Sequence, residues 1–443
     1  MMRAFQYYLR KVILVRVDWS SLELEWRHLW KCFLKEQKED RYVNSPYISQ
    51  FRLTKGISKY LDLQSHQKTL SLHYDLLKNG IEDDSSMILT EVIMPSEIFY
   101  AMGLTPIFVE SLGSFLASVK MNDKIIKKAE NLGVNQDICA YHKCVIGALS
   151  DGYIPYPKAF VHSSYWCDDM IKVGDYLASQ FKQNVFNIDI PFHYDEDAVD
   201  YVANQFEELT HYLEKVTGHT FDMEKLKEAF RYSNEAREYW VKANKLREES
   251  PCLMYGSDAM QMLPMLLSKL GHPEAVDVLK TFYEELLYRR ENPDCGIGKE
   301  RFRLLWLHFF PFYDINMMRY IEKELGAVIA FEENCNVYWE ELDENEPFRS
   351  LAKKIMQHTG FGSASNRVKA IQKFVEQYKI DGVVHFSQTC CRPFRGSVSF
   401  IRDALREDGV PFLELSGDVL DSRNYSEGQL KIRIDAFIEM LQN

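Results

Sequence analysis

Eight short apolar runs, in two sets of four, leave this chain few ways to fold. The first set is 87-MILTEVIMP-95, 105-TPIFVES-111, 159-AFVHSSYW-166 and 185-VFNIDIPF-192. The second is 303-RLLWLHFFP-311, 327-AVIAFEEN-334, 382-GVVHFSQTC-390 and 411-PFLELSGDV-419. Long amphipathic stretches separate them. In 197-DAVDYVANQFEELTHYLEKVTG-218, Val199, Val202, Phe206, Leu209, Leu213 and Val216 recur at three- and four-residue spacing. That spacing predicts a helix, with Gly218 as its stop. Residues 221–250 read as a second, polar helix ended by Pro251. Strands alternating with helices predict an α/β fold.

The two sets also rhyme. Each first run ends in proline (Pro95, Pro311) and each second in acid (Glu110, Glu332). Each third run carries His-x-x-x-x-Cys (His162 to Cys167, His385 to Cys390), and each fourth meets an aspartate (Asp189, Asp418). The gap from Glu110 to Cys167 is 57 residues and that from Glu332 to Cys390 is 58. This internal repeat predicts two Rossmann-like domains whose parallel sheets face a central cleft. A chain of 443 residues exceeds what one core organises. The expected divisions are a helical N-terminal region at 1–82, a first α/β domain at 83–255 and a second at 256–443.

A formal net charge of −12 argues against general nucleic-acid binding. No apolar run reaches the roughly 18–20 residues that cross a bilayer. Arg3, Arg10, Lys11, Arg16 and Asp18 interrupt any signal-peptide core, so a cytoplasmic protein is expected. In that reducing compartment, an odd count of nine cysteines disfavours a disulfide framework and leaves burial, catalysis or metal binding.

In a parallel sheet, ligands sit outside the carboxyl ends of the strands. Cys167, Cys390 and Cys391 fall at such ends, Cys335 follows the second strand of the second half, and Cys139 and Cys144 lie in 136-QDICAYHKC-144. Two facing halves would aim these six into one cleft, whereas Cys32, Cys252 and Cys295 stand outside the pattern and read as packing residues. A thiolate set selects zinc, copper(I) or an iron–sulfur cluster, and spacing alone does not name which. The chain has no close CxxC pair and no ferredoxin spacing. GxGxxG after a strand, GxxxxGK[ST] and GxSxG are absent too. His162 and His385 read first as core residues, and Glu97 sits where a helix would begin, a position the helix dipole favours for an acid.

The tail 417-GDVLDSRNYSEGQLKIRIDAFIEML-441 resembles the C-terminal signature of the 2-hydroxyacyl-CoA dehydratase family, which also includes benzoyl-CoA reductase and double-cubane cluster proteins. The element 94-MPSEIFYAMGLTPIF-108 is similar to its P-x-E-L-x-x-A-x-G-x-x-P motif. Likewise 137-DICAYHK-143, 163-SSYWCDDMIK-172 and 387-SQTCCRPF-394 resemble its three cysteine segments.

The resemblance implies an iron–sulfur cluster in the cleft on Cys139, Cys167 and Cys391, or Cys390 in its place. It implies electrons from a separate ATP-dependent activator with its own [4Fe-4S] cluster, an acyl-CoA or other small-molecule substrate, and pairing as a homodimer or with a related subunit. Cys144, Cys335 and the doubled cysteine at 390–391 exceed a three-cysteine site. Six ligands would suit a double cubane ([8Fe-9S]), the cluster of one branch of the family, and this is the favoured expectation. A [4Fe-4S] dehydratase component is the alternative, and a non-catalytic subunit of the same fold the third. Glu97 and His162 are the candidate catalytic residues beside the cluster.

Overall fold

The computed structural model describes residues 63–165, 167–293, 297–314 and 316–442. Of the helical N-terminal region expected over 1–82, residues 1–62, with Cys32, lie outside the described residues, as does Cys295. Helix α1 (Gln64–Glu82) opens the described chain. The first half then runs β1 (Met87–Thr90), α2 (Ser96–Ala101), β2 (Thr105–Phe108), α3 (Val109–Ser118), α4 (Ala140–Ser150), β3 (Ala159–Ser163), α5 (Asp168–Phe181) and β4 (Val185–Ile188). Helices α6 (Glu196–Thr217), α7 (Met223–Leu246) and α8 (Pro273–Glu291) follow. The second half comprises β5 (Phe302–Leu307), β6 (Ala327–Glu332), α9 (Pro347–Met356), α10 (Ala364–Gln377), β7 (Gly382–Gln388), α11 (Arg392–Gly396), β8 (Phe412–Gly417) and α12 (Glu427–Met440).

All eight apolar runs form strands, in two four-stranded parallel sheets of order β2-β1-β3-β4 and β6-β5-β7-β8. The same order in both sheets is the structural form of the sequence rhyme. Successive side chains of a strand face opposite ways, and the core divides accordingly. Leu89, Phe160, Leu304, Trp306, Ala327 and Ile329 join one apolar core that both halves share. Ile88, Ala159 and Val161 enter a second core under α6, and Leu305, Leu307, Val328 and Ala330 a third under α10. Sheets covered on both faces explain why the runs are apolar throughout.

Every strand is shorter than its run, and the surplus lies at the carboxyl end. Glu91, expected inside β1, instead turns its carboxylate onto Ser163. Glu110, expected within a strand, sits in the first turn of α3, where it accepts the backbone N–H of Val92 at 3.1 Å. His308 stops β5 with φ 69°, a left-handed conformation that no strand continues. Polar groups thus end β1, β2 and β5 on the carboxyl side of the sheets.

The helices follow their patterns closely. Helix α6 buries Val199, Val202, Phe206, Leu209 and Leu213, is capped by Asp195 Oδ1 accepting from Ala198 N at 2.8 Å, and stops at Gly218 with φ 77°. Helix α9 of the second half packs on α6 through Leu351, Ala352, Ile355 and Met356, which share its apolar core. Among the described residues no helix is long and apolar enough to cross a membrane.

Candidate metal centre

Three cysteines each stand at the N-cap of a helix: Cys139 before α4, Cys167 before α5 and Cys391 before α11. Helix N-termini favour negative charge, so this is where a thiolate is best accommodated. Asp169, in the first turn of α5, faces the backbone N–H of Cys139 at the start of α4. Burial pushes the Cys139 thiol well above its usual range, and the nearby Cys167, Asp418 and Cys391 push it further. Cys167 is raised by burial, then by Asp169, Cys391 and Glu91. Cys391 is pushed up to about 11 by burial, opposed by the Phe394 N–H and the Arg367 guanidinium. These three thiols, from both halves, therefore share one desolvated place.

The other candidate cysteines have different surroundings. Cys390 is half-buried and raised to about 11 by burial and Asp418, with Lys143 opposing. Cys144 lies inside α4, fully enclosed in the shared core, with Asp418 its main charged neighbour. Cys335 is also fully enclosed, with its thiol beside the Glu332 carboxylate and the Arg247 guanidinium. That ion pair is itself buried, with Arg247 NH2 at 2.6 Å from Glu332 Oε2. Trp240 and Asn244 of α7 donate to the Cys335 carbonyl at 2.8 and 2.9 Å. Cys252, read as packing, is buried at the third core and accepts from Arg303 NH1 at 3.0 Å.

Three groups that the motifs did not single out adjoin the thiols. A ring nitrogen of His142, Cys167 Sγ and an Asp169 carboxylate oxygen lie within 4.8 Å of one another. His142 is buried and held down to about 4 by desolvation and by His162, so its imidazole is neutral at pH 7. Glu91 Oε1 accepts Ser163 N–H and Oγ–H at 2.7 and 2.6 Å, and burial with nearby Glu110 raises Glu91 to about 8. Burial likewise raises Glu110 to about 7. Arg367 completes the set from behind Cys391, with Nε and NH2 on Glu333 at 2.6 and 2.7 Å. Its NH1 reaches the Phe394 carbonyl at 2.9 Å and Ser397 Oγ at 2.7 Å.

The tail motif acts as a clasp. Asp418 Oδ1 accepts the N–H groups of Leu420 and Asp421 at 2.8 and 2.9 Å, and Gln388 Nε2 donates to its Oδ2 at 2.9 Å. Arg423 reaches Asp421 and, in the first half, both oxygens of Glu130 at 2.8 and 2.7 Å. Ser422 Oγ donates to Asp123 at 2.6 Å. Lys143 meets Glu130 from the α4 side at 3.2 Å. The clasp thus holds the β8 end against the α4 start, which carries Cys139. Asp168 and Arg392, each beside a cysteine of its own half, form an exposed ion pair across the halves.

Glu97 and His162 occupy different settings. Glu97 is fully buried in α2, and Oε1 accepts from Ser233 Oγ and Lys354 Nζ, each at 2.6 Å. Its Oε2 has no hydrogen-bond partner. Lys354 and Ser96 line a small pocket, partly open to solvent, with Ile93, Met94, Leu266 and Leu270 as apolar wall and Asn334, Tyr338 and Trp339 also lining it. His162 stacks on Phe160 with centroids 4.9 Å apart and lies against Gly174 of α5, where an added Cβ would stand 2.4 Å from Nε2.

A family model described as 2-hydroxyglutaryl-CoA dehydratase, D-component, matches residues 91–441. The alpha subunit of (R)-phenyllactyl-CoA dehydratase from Clostridium sporogenes is 24% identical over 361 residues, covering 78% of this chain and 87% of that protein. A subunit of benzoyl-CoA reductase from Thauera aromatica is 24% identical over 351 residues, 73% of this chain and 81% of that one. The alpha subunit of lactoyl-CoA dehydratase from Anaerotignum propionicum is 22% identical over 381 residues, with coverages of 79% and 89%.

Proposed function

The chain belongs to the 2-hydroxyglutaryl-CoA dehydratase D-component family, an enzyme family, and on that premise we propose that it holds a [4Fe-4S] cluster on Cys139, Cys167 and Cys391 for low-potential reductive chemistry on an acyl-CoA. The observation that carries this reading is the meeting of three N-cap thiols from both halves in one buried place. Desolvation keeps such thiols protonated on their own, whereas a bound metal deprotonates them outright, so the donor set fits a metal-bound state. Thiolates gathered around one core are what an iron–sulfur cluster requires.

The surroundings of Cys144 and Cys335 favour a single cubane over the [8Fe-9S] form. Cys335 lies enclosed against the Glu332–Arg247 ion pair, and Cys144 is enclosed in the core. The cluster, when bound, supplies single low-potential electrons. The chain's own residues manage water and protons. The tail clasp keeps the halves together and shields the thiols. Glu91, raised to about 8, is a proton store beside Cys167 at neutral pH. Glu97 offers a buried, unpartnered Oε2 behind Ser96 and Lys354, which line the small pocket walled by Ile93, Met94 and Leu266. To His162, enclosed against Phe160 and Gly174, we assign packing.

The alpha-subunit relatives support a partner subunit, and low-potential electrons call for an external donor, which we take to be an ATP-dependent activator. Electron paramagnetic resonance of the anaerobically reconstituted, reduced chain tests the ligand set. Cys139→Ser, Cys167→Ser and Cys391→Ser should each abolish the cluster signal, and Cys335→Ser should keep it. The reverse pattern would refute the assignment.

A further inference from the structure

Three buried side-chain atoms without a hydrogen-bond partner gather around the small pocket: Glu97 Oε2, Asn334 Nδ2 and Trp339 Nε1. The pocket lies where the two halves meet. Val92, Ile93 and Met94 follow β1, Asn334 and Trp339 follow β6, and Lys354 comes from α9. Leu266, Leu267 and Leu270 complete its apolar wall. Lys354 is the one charged side chain among the lining residues. Its ammonium donates to Glu97 Oε1 at 2.6 Å and stands 5.2 Å from the Trp339 ring centroid. An ammonium has three N–H groups, so the pair with Glu97 leaves it capacity for a further acceptor. Trp339 is 5% exposed, and Arg237 Nε holds its carbonyl at 2.8 Å. An indole N–H only donates, as does the Asn334 amide nitrogen, so an oxygen acceptor is what completes both. Ser96 Oγ does not fill that role, being turned onto the Leu270 carbonyl at 2.7 Å. A buried donor left without an acceptor is costly, and in a native protein it calls for a specific reason.

We propose that this pocket binds a short-chain carboxylate, with Lys354, Trp339 Nε1 and Asn334 Nδ2 as donors to its oxygens and the aliphatic wall against its methylenes. The small pocket limits that body to a few carbons. The carboxylate belongs to a free acid or to the far end of an acyl chain, and the second case rests on the acyl-CoA reading above.

Indole resonances of the full chain labelled with ¹⁵N-tryptophan test this, the Trp339 signal being identified by its loss in Trp339→Phe. Propionate should move that signal saturably, and 1-propanol, a similar body without the anionic head, should not. Asn334→Ala should weaken propionate binding roughly tenfold to a hundredfold, the worth of a hydrogen bond to a charged group. Lys354→Met should abolish it. Because that change orphans Glu97, Lys354→Met/Glu97→Leu carries the same test if the single variant does not fold. Succinyl-CoA and butyryl-CoA separate the two sources. A shift with succinyl-CoA at lower concentration than with propionate, and none with butyryl-CoA, assigns the site to the carboxyl end of an acyl chain. A shift with propionate alone assigns it to a free acid. A Trp339 signal that no carboxylate moves, or that 1-propanol or butyryl-CoA moves equally, overturns the proposal and leaves ordered water as the partner of both donors. The readout needs no iron, so failure of the cluster reading and failure of this one are told apart.

Discussion

Arg367 offers the sharpest test of how the second half holds Cys391 in place. The guanidinium is 3% exposed, paired with Glu333, which is 4% exposed, and lies 4.4 Å from the Phe394 ring centroid. Arg367→Met removes both contacts to Glu333 and those to the Phe394 carbonyl and Ser397. Glu333 would retain the His308 N–H at 3.2 Å. A surface pair lost in this way costs about 0–1 kcal/mol. Losing one partner of a buried pair costs about 3–5 kcal/mol, because the other charge stays buried and uncompensated. Burial on both sides selects the larger figure. Phe394 and Ser397 lie in the turn after Cys391, so the variant should also speed alkylation of Cys391 in the metal-free chain. The double variant Arg367→Met/Glu333→Leu should recover roughly half the loss, since it leaves no orphaned carboxylate. Urea unfolding followed by near-UV circular dichroism, with peptide mapping of iodoacetamide-labelled cysteine, measures both effects. A single variant within about 1 kcal/mol of wild type, with Cys391 alkylation unchanged, would refute the reasoning.

Three further outcomes are expected. Glu91 has a folded pKa of about 8 against an unfolded value near 4.5, so its contribution is present below pH 4.5 and lost as pH rises towards 8. Glu91→Gln removes that dependence. The stability of the metal-free variant relative to wild type should climb by up to about 1.4 kcal/mol per pH unit across this window, then level off. A difference independent of pH contradicts the buried-acid account. Gly174→Ala places a Cβ against His162 Nε2 and should cost about 1–3 kcal/mol in thermal unfolding, largely restored by adding His162→Ala. No loss would mean that α5 does not approach β3 so closely. Asp195→Ala removes the α6 cap and should cost about 1 kcal/mol in urea unfolding, whereas an unchanged midpoint would show the cap to be idle.

Much of the scaffold was legible because both sheets are covered on both faces. Leu304, Leu305, Trp306 and Leu307 are apolar in succession since alternate residues enter two different cores. Strand ends were overrun because a pattern of side-chain polarity does not distinguish a strand residue from one in the turn after it. Glu91 looked like a polar interruption of β1, and only the fold brings it onto Ser163. The three motif cysteines were legible as local segments, but their meeting depends on two halves docking through Arg423 and Glu130. His142 had a readable signal, the Cys139-x-x-His142 spacing on a helix start, which a search for paired cysteines passes over. Arg367 had none. It lies in 364-ASNRVKAIQ-372, where nothing marks it from the other basic helix residues until β7 is packed against it.

Iron and acid-labile sulfide per chain, on protein purified without oxygen, test the central claim most directly. A single cubane held by Cys139, Cys167 and Cys391 predicts about four irons and about four sulfides. About eight irons would bring Cys144, Cys335 and Cys390 back as ligands and contradict the three-thiol site. A chain that holds no iron after anaerobic reconstitution would contradict the cluster itself.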